Sequence, residues 1–256
     1  PMNKTQRLRY ARAILLLQDK ITLAYQKRIR RELKQAATDL SLSYQTNQSQ
    51  LGFAAIQDNH KQSLIKILND LALETITRFS KLDVFGKKDI FAVQIANNIY
   101  AELAQNVLTT AATVSAATVA SATYVIMQQM ELSKTKPKAS EPENIAKAIS
   151  KKLNAVSVSR AMTIARTETH RAANTTQFRR AEWAANTANL EVEVEWIATN
   201  DSRVRDSHRH VDGQKRPMGQ TFNVGGDAMR YPSDPRGSAK NTINCRCVLG
   251  YDTIEQ

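Results

Sequence analysis

Apolar residues recur every three or four positions through most of the chain and every second position near its end. Over residues 4–40, Tyr10, Ile14, Leu17, Ile21 and Ala24 step by four and three, and Tyr25, Ile29 and Leu33 continue the stripe. That spacing predicts one long helix. Residues 41–50 are polar and uncharged and read as a linker or a frayed helix end. Helical spacing returns over 54–82 with Ile56, His60, Leu64, Ile67, Leu68, Leu71, Ile76 and Phe79. Phe85-Gly86-Lys87-Lys88-Asp89 reads as a turn, with Asp89 placed to cap the helix that follows. Residues 143–155 start a further helix on Ile145, Ile149 and Leu153, and 157–187 form the next, with Ser159 as its cap. Residues 189–198 alternate strictly: Leu190, Val192, Val194 and Trp196 lie on one face, Glu191, Glu193 and Glu195 on the other. This is the clearest strand.

The last fifth has another texture. It holds six of the eight glycines, from Gly213 to Gly250, together with both cysteines, His208 and His210. Asp212-Gly213 is a hairpin signal. Phe222-Asn223-Val224 followed by Gly225-Gly226 reads as a strand and a turn, and Pro232 and Pro235 bracket an extended loop. Cys245-Arg246-Cys247-Val248-Leu249 alternates like a final strand, with both sulfurs on one face. The fold class expected is α+β: a long, mostly helical N-terminal region, then a small α+β domain with short antiparallel strands. The domains expected are a helical, basic arm over 1–132, a linker over 133–144 that holds two prolines and alternating charge, and a compact domain over 145–256.

Charge sharpens this picture. The formal net charge is +12, and residues 1–50 hold ten Lys and Arg against three Asp and Glu. A basic helical face is the solvated side of a bundle, a contact for nucleic acid or an acidic protein face, or a surface for an anionic membrane, and the solvated bundle face is the default. Arg7, Arg9, Arg12, Lys27, Arg28, Arg30, Arg31 and Lys34 are the candidates for phosphate contact. Aromatic residues do not interleave with them, so base-stacking recognition of single strands has no support. By contrast, residues 103–130 carry no charge at all. Length would allow this run to cross a membrane. Its Ala, Thr and Ser content instead favours a helix packed among other helices or subunits. Arg7, Arg9, Arg12 and Lys20 leave no secretory apolar stretch near the start, and two cysteines one residue apart suit a reducing compartment, so the location expected during synthesis is cytoplasmic.

Chemistry-bearing residues concentrate in the back half. His208, His210, Cys245 and Cys247 supply imidazole and thiolate donors of the kind zinc takes, although each pair has one intervening residue where zinc pairs usually have two to four. His208, His210 and Asp212 could instead surround a hydrolytic metal. There is no phosphate-cradling glycine loop and no nucleophile elbow. His60 has no second ligand at i+4 and reads as a surface or satisfied core histidine.

Arg166-Thr167-Glu168 with Arg171 and Asn174, then Trp196, Asp201-Ser-Arg203-Val-Arg205 with His208, Asp212-Gly213, Tyr231-Pro232-Ser-Asp234-Pro235 and Asn244-Cys245-Arg246-Cys247 follow one another in an order that resembles the head-morphogenesis domain of the phage Mu F-like family. The resemblance covers roughly residues 145–251. It implies a structural, non-enzymatic minor head protein of a tailed bacteriophage, held inside the capsid at the portal vertex after assembly in the host cytoplasm. The partners it implies are the portal protein, other capsid or scaffolding proteins, and packaged double-stranded DNA bound non-specifically through the arm. Membrane contact is not expected. Many members have a C-x-x-C before the Asp-Gly and a His shortly before the Asn-Cys-Arg-Cys, a plausible metal quartet. This chain has Arg205 and His208 at the first pair and Thr242 at the later His, so the resemblance leaves His208, Cys245 and Cys247 to serve. No cofactor is expected unless zinc occupies that set. The two competing readings are a metal-dependent hydrolase or nuclease on His208, His210 and Asp212, and a membrane-active ejection protein acting through residues 103–130.

Overall fold

A computed structural model describes residues 4–82, 93–199 and 201–254. The turn expected at Phe85–Asp89 and the Asp89 cap lie outside these residues. Four long helices lead the chain: α1 (Lys4–Asn47), α2 (Phe53–Phe79), α3 (Val93–Leu132) and α4 (Pro142–Ala188). A short 3-10 turn, Pro137–Ser140, precedes α4. Then come β1 (Val192–Ile197), α5 (Asp206–His210), β2 (Lys215–Pro217), β3 (Phe222–Val224), β4 (Asp227–Met229), α6 (Ala239–Thr242) and β5 (Val248–Thr253). The class is α+β, as the periodicity predicts.

Two corrections concern helix ends. The stretch 41–50 is not a linker along most of its length, because α1 runs to Asn47. Leu40 and Tyr44 are buried four residues apart and hold that last turn against the core, while Ser41 and Ser43 between them donate to Ala146 O at 2.9 Å and Leu51 O at 3.1 Å. Nor do residues 143–155 and 157–187 form separate helices. Ile145, Ile149, Leu153, Ser157 and Ala161 make one unbroken buried i+4 stripe. Ser159 therefore lies inside α4, and its hydroxyl donates to Val156 O at 3.1 Å instead of capping. Pro142 opens α4 at a position where a missing N–H costs nothing.

The chain folds as two compact units. One comprises Ala24–Asp70 and Gln105–Ile164. Its core packs Ala37, Leu40, Tyr44 and Phe53 against Ala122, Val125, Ile126, Ile145, Ile149 and Leu153. Arg28 pairs with Asp70 at 2.6 Å, and His60 with Glu32 at 2.8 Å. The charge-free run is accommodated here by burying one face only. Val107, Ala111, Ser115, Thr118 and Ala122 are buried, whereas Leu108, Tyr124 and Met127 are exposed. Ser115 and Thr118 donate to Ala112 O and Val114 O within α3, so their hydroxyls enter the core already satisfied. Among the described residues this helix, over Ile95–Leu132, is long and apolar enough to cross a membrane.

The other unit comprises Pro1–Leu23, Leu71–Ala104 and Ala165–Gln256. The segment 133–144, expected to divide two domains, thus falls inside the first unit described. In this second unit an antiparallel sheet, ordered β2-β1-β5, pairs Val194 with both Arg216 and Tyr251. β3 and β4 form a separate hairpin. Its turn is Gly225-Gly226, both at positive φ, and a Cβ on Gly225 would come within 2.9 Å of Ser207 Cβ. The core joins Phe178, Ala181 and Ala185 of α4 to Val192, Val194 and Trp196 of β1, with Phe222, Met229, Tyr231, Cys245, Cys247 and Leu249. Asp212-Gly213 does not make a tight two-residue hairpin, because α5 is inserted between β1 and β2. Instead Gly213, at φ 78°, turns the chain out of α5 and donates to Trp196 O at 2.8 Å.

Candidate functional site

α5 fixes the two histidines on opposite sides. Residues two apart on a helix are separated by about 200°. His208 is accordingly buried, 2% exposed, and His210 is exposed. The ring of His208 meets Trp196 edge-on at 5.8 Å. Its Nδ1 lies 3.3 Å from Cys247 Sγ and 3.6 Å from Cys245 Sγ. The cysteines are free thiols placed just before β5, and the alternation across Arg246 turns both sulfurs inward. Of the four expected zinc donors, three converge. His210 does not, for the helical reason given.

The two thiols interact. The hydrogen bond from Cys247, followed by the His208 contact, holds Cys245 well below the ordinary thiol value. The same bond, with burial, pushes Cys247 well above it. Beside them lies a hollow of about 10 Å³, lined in part by Thr199, Arg203, Arg205 and Arg246.

A polar face of α4 clamps the cysteine segment from below. Thr167 Oγ1 accepts Asn244 N–H at 3.0 Å, Arg166 Nη1 donates to Asn244 Oδ1 at 3.4 Å, and Asn174 Nδ2 donates to Cys247 O at 3.2 Å. Glu168 and Arg171 pair at 2.6 Å. Arg246 forks onto Asp201 at 2.6 and 2.8 Å, and Asp201 also accepts Arg203 N–H at 2.9 Å. Arg205 donates to Ile243 O. The residues of the motif thus tie one another, and the bonds of Asn244, Cys247, Arg246 and Ile243 reach across tens of positions in sequence.

The hydrolytic set does not assemble. Asp212 Oδ1 accepts Arg7 Nη2 at 2.7 Å and Ala198 N–H at 2.8 Å, while Arg7 Nε pairs with Glu195 at 2.7 Å. His210 faces away from His208. Arg7 is therefore an internal tie of this unit and not a phosphate contact, and Arg28 is committed to Asp70. Of the proposed phosphate ligands, Arg9, Arg12, Lys27, Arg30, Arg31 and Lys34 remain exposed.

Several site residues have no signature in the sequence. Asp227 Oδ2 accepts from Ser238 N, Ser238 Oγ and Asn241 Nδ2, and these hydrogen bonds lower its carboxyl to about 2. Asn241 also donates to Val224 O at 2.7 Å. Such pairings join the short β3–β4 hairpin to the start of α6, elements too short for periodicity to mark them. His170 is fully buried within α4, and burial, then the charges of Arg166 and Arg246, lower it to about 3. It stays neutral in the folded chain where an unfolded chain takes a proton. Stability should therefore be full above the ordinary histidine value of about 6.5 and fall as pH drops from there toward 3, by about 1.4 kcal/mol per pH unit. Urea unfolding at pH 7, 6, 5 and 4 should show this slope in the wild type and a flatter one in His170→Gln. Equal slopes would refute the assignment.

Residues 129–250 match the family described as Phage Mu protein F like protein. The chain is also similar to the Minor head protein GP7 of Bacillus phage SPP1, at 33% identity over 108 residues, which is 42% of this chain and 34% of that protein. The chain thus spans about a third of the length of that relative. No solved structure matches it.

Proposed function

We propose, from the match of residues 129–250 to the family described as Phage Mu protein F like protein, that this chain is a structural minor head protein of a tailed phage. It works inside the head at the portal vertex, by docking and without turnover of a substrate. The observation that carries this reading is the direction of the motif side chains. Arg166, Glu168, Arg171, Asn174, Asp201 and Arg246 are directed at partners within their own unit, which suits a rigid module. Catalytic groups would need to converge on space for a reacting molecule. Portal subunits and neighbouring capsid or scaffolding proteins are the partners this role requires. A phage with its copy of the gene inactivated tests it: infectious particles should be lost, and restored by supplying either the wild-type chain or His210→Ala in trans. A null phage that fills heads and infects normally would overturn the reading.

DNA contact belongs to α1. Lys27, Arg30, Arg31 and Lys34 fall within an arc of about 100°, are all exposed, and line one groove with Gln35 and Thr38. Charges clustered in this way suit the sequence-independent phosphate contacts of duplex DNA. Replacing all four with Gln should weaken binding to random-sequence duplex and make the dependence of log K on log salt shallower by roughly 3–4. Fluorescence anisotropy at several salt concentrations measures both, and an unchanged slope would remove these residues from the DNA-binding surface.

A further inference from the structure

We propose that His208, Cys245 and Cys247 form a three-donor site for a soft divalent cation, zinc first, whose fourth position stays open to water or a small anion. Ordinary Zn–S and Zn–N lengths at a tetrahedral centre separate a bound nitrogen from a bound sulfur by about 3.6 Å. The two Nδ1–Sγ separations here are 3.3 and 3.6 Å, and all three donor atoms lie within 4.8 Å of one another. The donors are held in place before any metal arrives. Trp196 packs against the His208 ring, Asn174 grips the Cys247 carbonyl, and Thr167 holds the amide of Asn244 next to Cys245. Two thiolates balance a dication, which lets a neutral metal centre sit beside Arg203, Arg205 and Arg246 where a bare cation would be repelled.

The fourth side distinguishes this site from a closed structural one. His208, Cys245 and Cys247 line one hollow together with Thr199, Arg203, Arg205 and Arg246, and its volume of about 10 Å³ is close to what one water occupies. Closed structural zinc sites fill all four positions with protein donors, whereas three donors and a vacancy leave an exchangeable place. The neighbouring guanidiniums would favour an anion there.

The full chain, purified reduced and desalted after exposure to Zn²⁺ or Co²⁺, provides the test. Metal analysis should find about one ion per chain. The Co²⁺ form should show thiolate-to-metal absorption, and excess Zn²⁺ should raise Tm by mass action. Cys245→Ser, Cys247→Ser and His208→Ala should each lower affinity by at least about tenfold, while His210→Ala should bind as the wild type does. Azide or chloride should perturb the Co²⁺ spectrum by entering the open position. Failure of the wild-type chain to retain metal or gain Tm, retention of metal by a Cys245→Ser/Cys247→Ser double variant, or a Co²⁺ spectrum indifferent to added anion would each overturn the proposal. The wild-type readouts stand even where a variant fails to fold.

Discussion

Trp196→Ala should lose about 3–5 kcal/mol of folding stability, measured as a lower urea midpoint with an unchanged m-value. Trp196 is 0% exposed and is one of the largest fully buried side chains in the chain. It projects from β1, where its backbone pairs with Leu249, into the space between the sheet, α5 and the β3–β4 hairpin. Its ring meets Phe222 edge-on at 5.3 Å and His208 at 5.8 Å. Truncation leaves a cavity that three separate elements border, and none can close it without breaking its own pairing. The same change frees the His208 ring, so the donor cluster should loosen along with the core. Trp196→Phe keeps most of the volume and should cost less. A loss below about 1 kcal/mol for the alanine variant would mean that the core does not depend on this residue as described.

Asp234→Ala should be of similar size, about 3–5 kcal/mol, because it strips a buried charge from its partners. The Asp234 side chain is 0% exposed and accepts from the amides of Arg230 and Arg236 at 2.9 and 3.1 Å, and from both guanidiniums at 3.0 to 3.4 Å. One carboxylate thus organises the loop between β4 and α6. Burial alone would raise its pKa, but the hydrogen bonds from Arg236 and Arg230 outweigh that and hold it below the ordinary value. A depressed carboxyl stabilises the fold fully above the unfolded value, near 3.9, and loses that contribution as pH falls through the folded value. Thermal unfolding between pH 6 and pH 2 should show the loss in the wild type and a weaker dependence in Asp234→Asn. Matching acid profiles, or an alanine variant within about 1 kcal/mol of the wild type, would contradict the role.

Periodicity made the long helices legible, because a stripe such as Tyr25, Ile29 and Leu33 has one geometric explanation. The strand at Val192–Ile197 was equally open to reading. Boundaries were harder. Residues 41–50 read as a linker or a frayed helix end because sequence shows side-chain chemistry and not the core that Leu40 and Tyr44 reach. Ser159 looked like a cap because Ser favours helix starts, yet the buried stripe runs straight past it. At the site, the inward cysteines and His208 followed from alternation and residue type. The exclusion of His210 needed the short helix α5, which five polar residues do not announce. Arg7 appeared to be one more cation of a basic arm. Its partners, Glu195 and Asp212, lie in the distant strand β1 and just after α5, and no local pattern points to them.

The composition of purified heads tests the central proposal most directly. Heads isolated from infected cells, freed of lysate protein and quantified by mass spectrometry against the portal subunit, should contain this chain at a low, constant ratio to the portal. A chain abundant in the lysate but missing from filled and unfilled heads alike would contradict its proposed place in the head.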